Sequence, residues 1–166
     1  MRVLEIFGGP LQPLPAPEAS ATLKQVNTLL MNEVGHHKDA LGNPGGILEL
    51  ADNVTPILVG DLHAQIDNLL TILSENAVLD GMEKGTTALI ILGDAVHPEE
   101  PGCLEDMESS LLIMDLIFRM KLRFPDNVFY TIGNHDSFLH EIMKRGVSPR
   151  VCSGKNMCCR HEAKST

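Results

Sequence analysis

The sequence predicts an α/β fold with a βαβαβ core and parallel strands. Three short apolar runs, TPILVG at 55–60, TTALIIL at 86–92 and NVFYTI at 127–132, read as buried strands. Amphipathic helical patterns fill both intervals between them. Each run stops at a glycine, and Gly60, Gly93 and Gly133 are followed directly by Asp61, Asp94 and Asn134. Apolar strands alternating with helices imply parallel pairing with both faces covered. Open sheets of this kind bind ligands beyond the carboxyl ends of their strands.

The remaining elements follow from spacing and punctuation. Residues 8–17, GGPLQPLPAP, carry too many prolines for helix or central strand. Residues 19–34 predict a helix, with Leu23, Val26, Leu29, Leu30 and Val34 near a 3.6-residue repeat. Residues 35–46, GHHKDALGNPGG, read as a loop punctuated by glycine and proline, with His36 and His37 solvated. Residues 64–77 predict a helix on Ile66, Leu69, Leu70 and Leu73. A longer helix is expected at 104–123, with Leu104, Met107, Leu111, Met114, Phe118 and Leu122 as its core-facing stripe. A short one is expected at 137–145. The chain then divides into an N-terminal helical and loop extension at 1–54, a core at 55–146 and an irregular tail at 147–166.

The 166 residues suffice for one domain with a real core. Hydrophobic residues make up 43% and charged residues 21%, and tryptophan is absent, so aliphatic side chains must fill that core. A net charge of −9 argues against nucleic acid or an anionic membrane as partner, since both call for basic patches. An anionic substrate would need positive charge supplied locally. Neither a transmembrane span nor a signal peptide is legible, which reads as cytoplasmic. Cys103 stands apart from Cys152, Cys158 and Cys159, so reduced thiols are expected rather than a disulfide framework. With His161 the last three make a zinc-like set, but their spacing matches no common zinc plan.

The strand ends carry one kind of chemistry. GDLHAQ places Asp61 and His63 after the first strand; GDAVHPE places Asp94 after the second; GNHDSF places Asn134, His135 and Asp136 after the third. Neighbouring parallel strands lie about 4.8 Å apart, so adjacent ends can converge on one small volume. Carboxylate, imidazole and amide oxygen together suit a borderline divalent cation such as Mn, Fe or Zn. A cation also relieves the repulsion within an acidic cluster. Singly, Asp61 or Asp94 could be a helix N-cap, and His97 reads as a loop residue beside the site.

GDLHAQ, GDAVHP and GNHD, in this order, resemble the first three motifs of the calcineurin-like metallophosphoesterase superfamily, and GDLHAQ is similar to the opening motif of its Ser/Thr protein phosphatase branch. The resemblance covers about residues 55–145. It implies two divalent metal ions, with Asp61 and His63 on the first, Asp94 bridging both and Asn134 on the second. His135 becomes the candidate general acid, or a stabiliser of the transferring phosphoryl group. The implied reaction is hydrolysis of a phosphoester, in a phosphorylated small molecule or a phosphoprotein, by a water that the metals activate.

Departures from the family pattern bear on substrate. His97 and Pro98 stand where the protein phosphatase branch has Asp-Arg, and Ile132 stands where it has a second arginine, so the guanidinium clamp on phosphate is missing. The carboxylate partner of His135 is not at its usual place, with Asp136 and Glu99 as the nearby acids. The family's later histidine motifs have no counterpart: His140 and His161 follow, without a GH pair. The ending VCSGKNMCCRHEAKST reads like a shifted frame or a C-terminally truncated gene, and the core like an incomplete half of a two-sheet sandwich. Such a half exposes an apolar face, so self-association is expected. The rival reading is a catalytically impaired metal-binding or interaction domain. A nucleotide-binding domain is disfavoured, because no GxGxxG or GxxxxGK[ST] follows any strand.

Overall fold

The computed structural model describes residues 3, 6, 8–9, 11–33, 35–42, 44–75, 77–98, 107–133 and 136. Its elements in chain order are α1 (Ala16–Met31), β1 (His36–Lys38), β2 (Pro44–Leu48), β3 (Thr55–Val59), α2 (Ile66–Ser74), α3 (Val78–Glu83), β4 (Thr87–Ile91), α4 (Met107–Arg123) and β5 (Val128–Tyr130). The expected helix at 137–145, the Cys152–Cys158–Cys159–His161 group and the later histidines lie outside the described residues.

β3, β4 and β5 form a three-stranded sheet in that order. Both pairings are parallel, with Ile57 opposite Leu89 and Val59 opposite Ile91, then Leu89 opposite Val128 and Ile91 opposite Tyr130. Those residues share one face. With Leu69 and Leu73 of α2, Val78, Leu79 and Met82 of α3, and Ile113, Leu116, Ile117 and Met120 of α4, they build the hydrophobic core.

The other face departs from expectation. Leu58, Ile90 and Phe129 lie side by side there, and Leu58 is 64% exposed. Among the described residues β3 is an edge strand, and the coverage of both faces that an apolar run suggested is not met at Leu58. Pro56 marks the same fact: proline has no N–H to give to a ladder and is confined to sheet edges.

The buried stripe of α4 also differs from the one expected. Ile113, Leu116, Ile117 and Met120 are buried, whereas Met107 is 44% and Leu111 53% exposed. The helix is apolar around much of its circumference, so a repeat drawn through Met107, Leu111 and Met114 picks a neighbouring ridge. Leu104 lies outside the described residues.

Two N-terminal elements correct the sequence reading. α1 begins inside the proline-rich stretch, with Pro17 in its first turn, where a missing N–H costs nothing because first-turn donors have no intrahelical partner. The glycine-rich segment expected to be loop is an antiparallel hairpin of β1 and β2. A side chain at Gly45 would strike the His37 carbonyl at 2.8 Å, so glycine there permits the close pairing. His36 is not simply solvated: Nδ1 meets the Gly45 carbonyl at 3.0 Å and Nε2 meets Glu33 Oε2 at 2.8 Å. His37 is exposed and meets Glu49 at 3.1 Å.

The N-terminal segment is tied to α4 by two polar anchors. The Leu14 N–H donates to Asp115 Oδ2 at 2.8 Å. Lys121, only 5% exposed, donates to Glu33 and to the carbonyls of Pro125 (2.6 Å) and Val128 (2.8 Å), with its ammonium 4.7 Å from the Phe129 ring centroid. Glu33 is therefore the counter-charge of a buried ammonium. Glu33→Gln is expected to lower stability by about 3 kcal/mol, since removing one partner leaves the other charge buried; urea midpoints of the two chains check this.

Candidate metal centre

The centre lies at the carboxyl ends of β3 and β4, on loops held in shape by backbone bonds. The Asp94 carbonyl accepts from Leu62 N (3.1 Å) and His63 N (2.9 Å), and the Ala95 carbonyl accepts from Ala64 N (2.7 Å). Four non-glycine residues on these loops are left-handed: His63 (φ 43°), Ala64 (φ 60°), Asp94 (φ 49°) and His97 (φ 62°). That conformation costs roughly 1–2 kcal/mol per residue. Such outliers gather where a site fixes the backbone.

Two glycines permit the approach of the β4 and β5 ends. Gly93 has φ 88°, and a Cβ there would overlap the backbone of Gly133. A Cβ on Gly133 would in turn overlap Asp94, including its carboxylate. Gly60 differs: a Cβ there would meet nothing within 4 Å. The three strand-end glycines look alike in sequence, but only two are imposed by contact.

Asp61, His63 and Asp94 each place one ligand-capable atom so that all three lie within 4.8 Å of one another. His63 and Asp94 are buried, at 8% and 4% exposure, while Asp61 opens to solvent. His63 Nδ1 lies 3.2 Å from the His97 carbonyl. A carbonyl only accepts, so Nδ1 carries the hydrogen, and Nε2 turns toward Asp61, 3.6 Å from its Oδ2. Metal-binding histidines are commonly held in this way by their second nitrogen. His97 thus contributes its backbone, and its own N–H donates to Ser110 Oγ of α4 at 3.1 Å.

Asp61 does not serve as the N-cap of α2. That position is Gln65, without a side-chain cap bond. Two carboxylates and an oriented imidazole in so small a volume fit a borderline divalent cation by donor type and charge. Asn134 and His135 lie outside the described residues, as does Glu99.

Asp136 has a role that its position in sequence did not reveal. Its Oδ2 accepts from Asp94 N (2.7 Å), Gly133 N (3.0 Å) and the Tyr130 hydroxyl (2.7 Å). It braces the third strand end to the second. Tyr130 Oη also accepts from Ala95 N at 3.4 Å. Burial, then the bond to Asp136 and its negative charge, push the Tyr130 phenol well above the ordinary tyrosine range. Stability from the neutral phenol is complete below about pH 10 and is lost as pH rises toward the folded-state value. Tyr130 is the only tyrosine and there is no tryptophan, so near-ultraviolet absorbance reads it directly. The phenolate signal is expected only at higher pH than in the urea-unfolded chain.

The family profile described as calcineurin-like phosphoesterase matches residues 55–157. The chain belongs to this family. As a calcineurin-like phosphoesterase it is similar to the serine/threonine-protein phosphatase 4 catalytic subunit of Saccharomyces cerevisiae, with 34% identity over 100 residues, covering 60% of this chain and 28% of that protein. It is similar also to the subunit of the same name from Candida glabrata, 34% identical over 100 residues, covering 55% of this chain and 28% of the relative. The matched stretch thus spans 28% of the length of these curated relatives. Among the described residues, no helix is long and apolar enough to cross a membrane.

Proposed function

We propose that this calcineurin-like phosphoesterase hydrolyses phosphate esters at a divalent-cation centre built on Asp61, His63 and Asp94. The observation carrying the reading is the convergence of those three ligand-capable groups within 4.8 Å at two adjacent strand ends. Asn134 and His135 follow Gly133 directly. The reading adds Asn134 as ligand to a second cation, with Asp94 shared between the two, and His135 as general acid. When bound, the cations would supply positive charge for a phosphate ester and make a water acidic enough to attack near neutral pH.

The chain's own residues do the positioning. The His97 carbonyl keeps the His63 Nε2 lone pair aimed at the centre. Gly93 and Gly133 let Asp94 stand against the third strand end. His135 would hand a proton to the departing oxygen. Mn, Fe or Zn suits the donor set, the setting is cytoplasmic, and the substrate is a phosphorylated small molecule or phosphoprotein; the protein phosphatase names of the relatives support the latter.

A second reading is a metal-binding domain impaired in catalysis. It is favoured by Ile132, 79% exposed just past β5, where the protein phosphatase branch has arginine. Metal analysis of the chain purified without chelator, with hydrolysis of an aryl phosphate in added Mn, separates the two. Two metals and turnover abolished by Asp94→Asn support the enzyme. One metal without turnover supports the second reading, and no metal at all contradicts both. The exposed Leu58 face also supports self-association. A monomer at every concentration in sedimentation contradicts that part.

A further inference from the structure

The mechanism proposed above does not use the carboxylate of Asp136 or the phenol of Tyr130, yet Asp136 bonds the backbone of its central ligand, Asp94, and Tyr130 bonds Asp136 and the residue after that ligand. Asp94 is left-handed (φ 49°), so its carboxylate points where it does only while its backbone is held. The holding is two-sided. Its carbonyl is fixed by Leu62 N and His63 N from the first loop, and its N–H is fixed at 2.7 Å by Asp136 Oδ2 from the third. The same oxygen takes the Gly133 N–H at 3.0 Å and the Tyr130 hydroxyl at 2.7 Å. The hydroxyl in turn meets Ala95 N at 3.4 Å. Tyr130 therefore aims the carboxylate at Asp94 and also contacts the residue after it.

We infer that Tyr130 and Asp136 form a positioning brace that sets the cation affinity of the centre through the backbone of Asp94. This rests on the metal reading proposed above. A carboxylate suits the task because its charge strengthens each N–H bond it accepts. Without the phenol, Asp136 loses its side-chain partner among the described residues. Without Asp136, the Asp94 N–H, the Gly133 N–H and the Tyr130 hydroxyl lose their shared acceptor together. Asp94 can then leave the left-handed region, and its carboxylate swings away from His63.

The test uses Tyr130→Phe, Asp136→Asn and Asp136→Ala in the full chain, with Mn titrated calorimetrically and amide hydrogen exchange measured without metal. In the wild-type chain the Asp94 and Gly133 amides, both bonded to Asp136, are expected to exchange slowly. In Tyr130→Phe they are expected to exchange at least about tenfold faster, and Mn affinity to fall about tenfold, the lower end of what outer partners of metal ligands are worth. Asp136→Ala is expected to lose up to about 100-fold, with Asp136→Asn between the two because it keeps an oxygen acceptor. Should Asp136→Ala fail to fold, Tyr130→Phe, which removes one oxygen atom, decides the matter. Mn affinity unchanged in a folded Tyr130→Phe overturns the brace whatever its stability, as does an Asp94 amide that exchanges equally fast in both chains. A wild-type chain that protects that amide but takes up no Mn overturns the metal reading itself, and the positioning role falls with it.

Discussion

Gly93→Ala is expected to destabilise the chain by about 2–5 kcal/mol, combining the left-handed penalty for a residue with a Cβ and the overlap with neighbouring backbone. The φ of 88° at Gly93 is one part; the other is that the new methyl lands on the backbone of Gly133. Backbone cannot rotate aside as a side chain can, so the β4 and β5 ends must separate. The cation centre should open with them, because Asp94 is the next residue. Gly60→Ala is the control: nothing lies within 4 Å of a Cβ there, and its effect should stay within about 0.5 kcal/mol. Urea unfolding of the three chains measures both. Equal midpoints for Gly93→Ala and Gly60→Ala would contradict the close approach of the two strand ends.

Asp94→Asn is the second large effect. Asparagine tolerates the left-handed conformation about as well as aspartate, so the fold should persist. What is lost is a charged ligand beside Asp61 and His63. Changing an outer partner of a metal ligand typically costs 10–100-fold in affinity, so removing a ligand charge should cost more than about 100-fold. The metal-free variant should be as stable as the wild type or slightly more so, because two neighbouring carboxylates become one. Lower affinity with undiminished stability is the signature of a residue held for binding rather than for folding.

Much of this is legible in the amino-acid sequence, for physical reasons. A buried parallel strand must be apolar along its length and must stop where the chain turns, so β3, β4 and β5 stood out as runs ended by glycine. Asp61, His63 and Asp94 were legible because parallel topology sends strand ends to one side. The hairpin was not, because His36–Lys38 and Pro44–Leu48 offer little β-propensity and pair through the smallness of Gly45. The short α3, with Gly81 in its middle, carried too weak a pattern to notice. α4 was legible as a helix but not in its orientation, since Leu111 and Leu116 are equally apolar and only packing tells which is buried.

The brace of Tyr130 and Asp136 was hidden for a different reason. Its bonds exist only because two glycines bring separate strand ends together, a relation between segments distant in sequence. GNHD points to Asn134 and His135, and the acid after them reads in sequence only as a candidate partner for His135. The two anchors of the N-terminal segment, Glu33 on Lys121 and Leu14 N on Asp115, are of the same kind. A charged residue in the middle of a helix pattern reads as solvent-facing until its partner from elsewhere is known.

The most direct test of the central claim is calorimetric titration of Mn into chelator-treated wild-type chain, beside Asp94→Asn. Saturable binding by the wild type that Asp94→Asn abolishes while remaining folded is the expected result. No heat of binding in either chain, or the same isotherm in both, would contradict a cation centre at Asp61, His63 and Asp94.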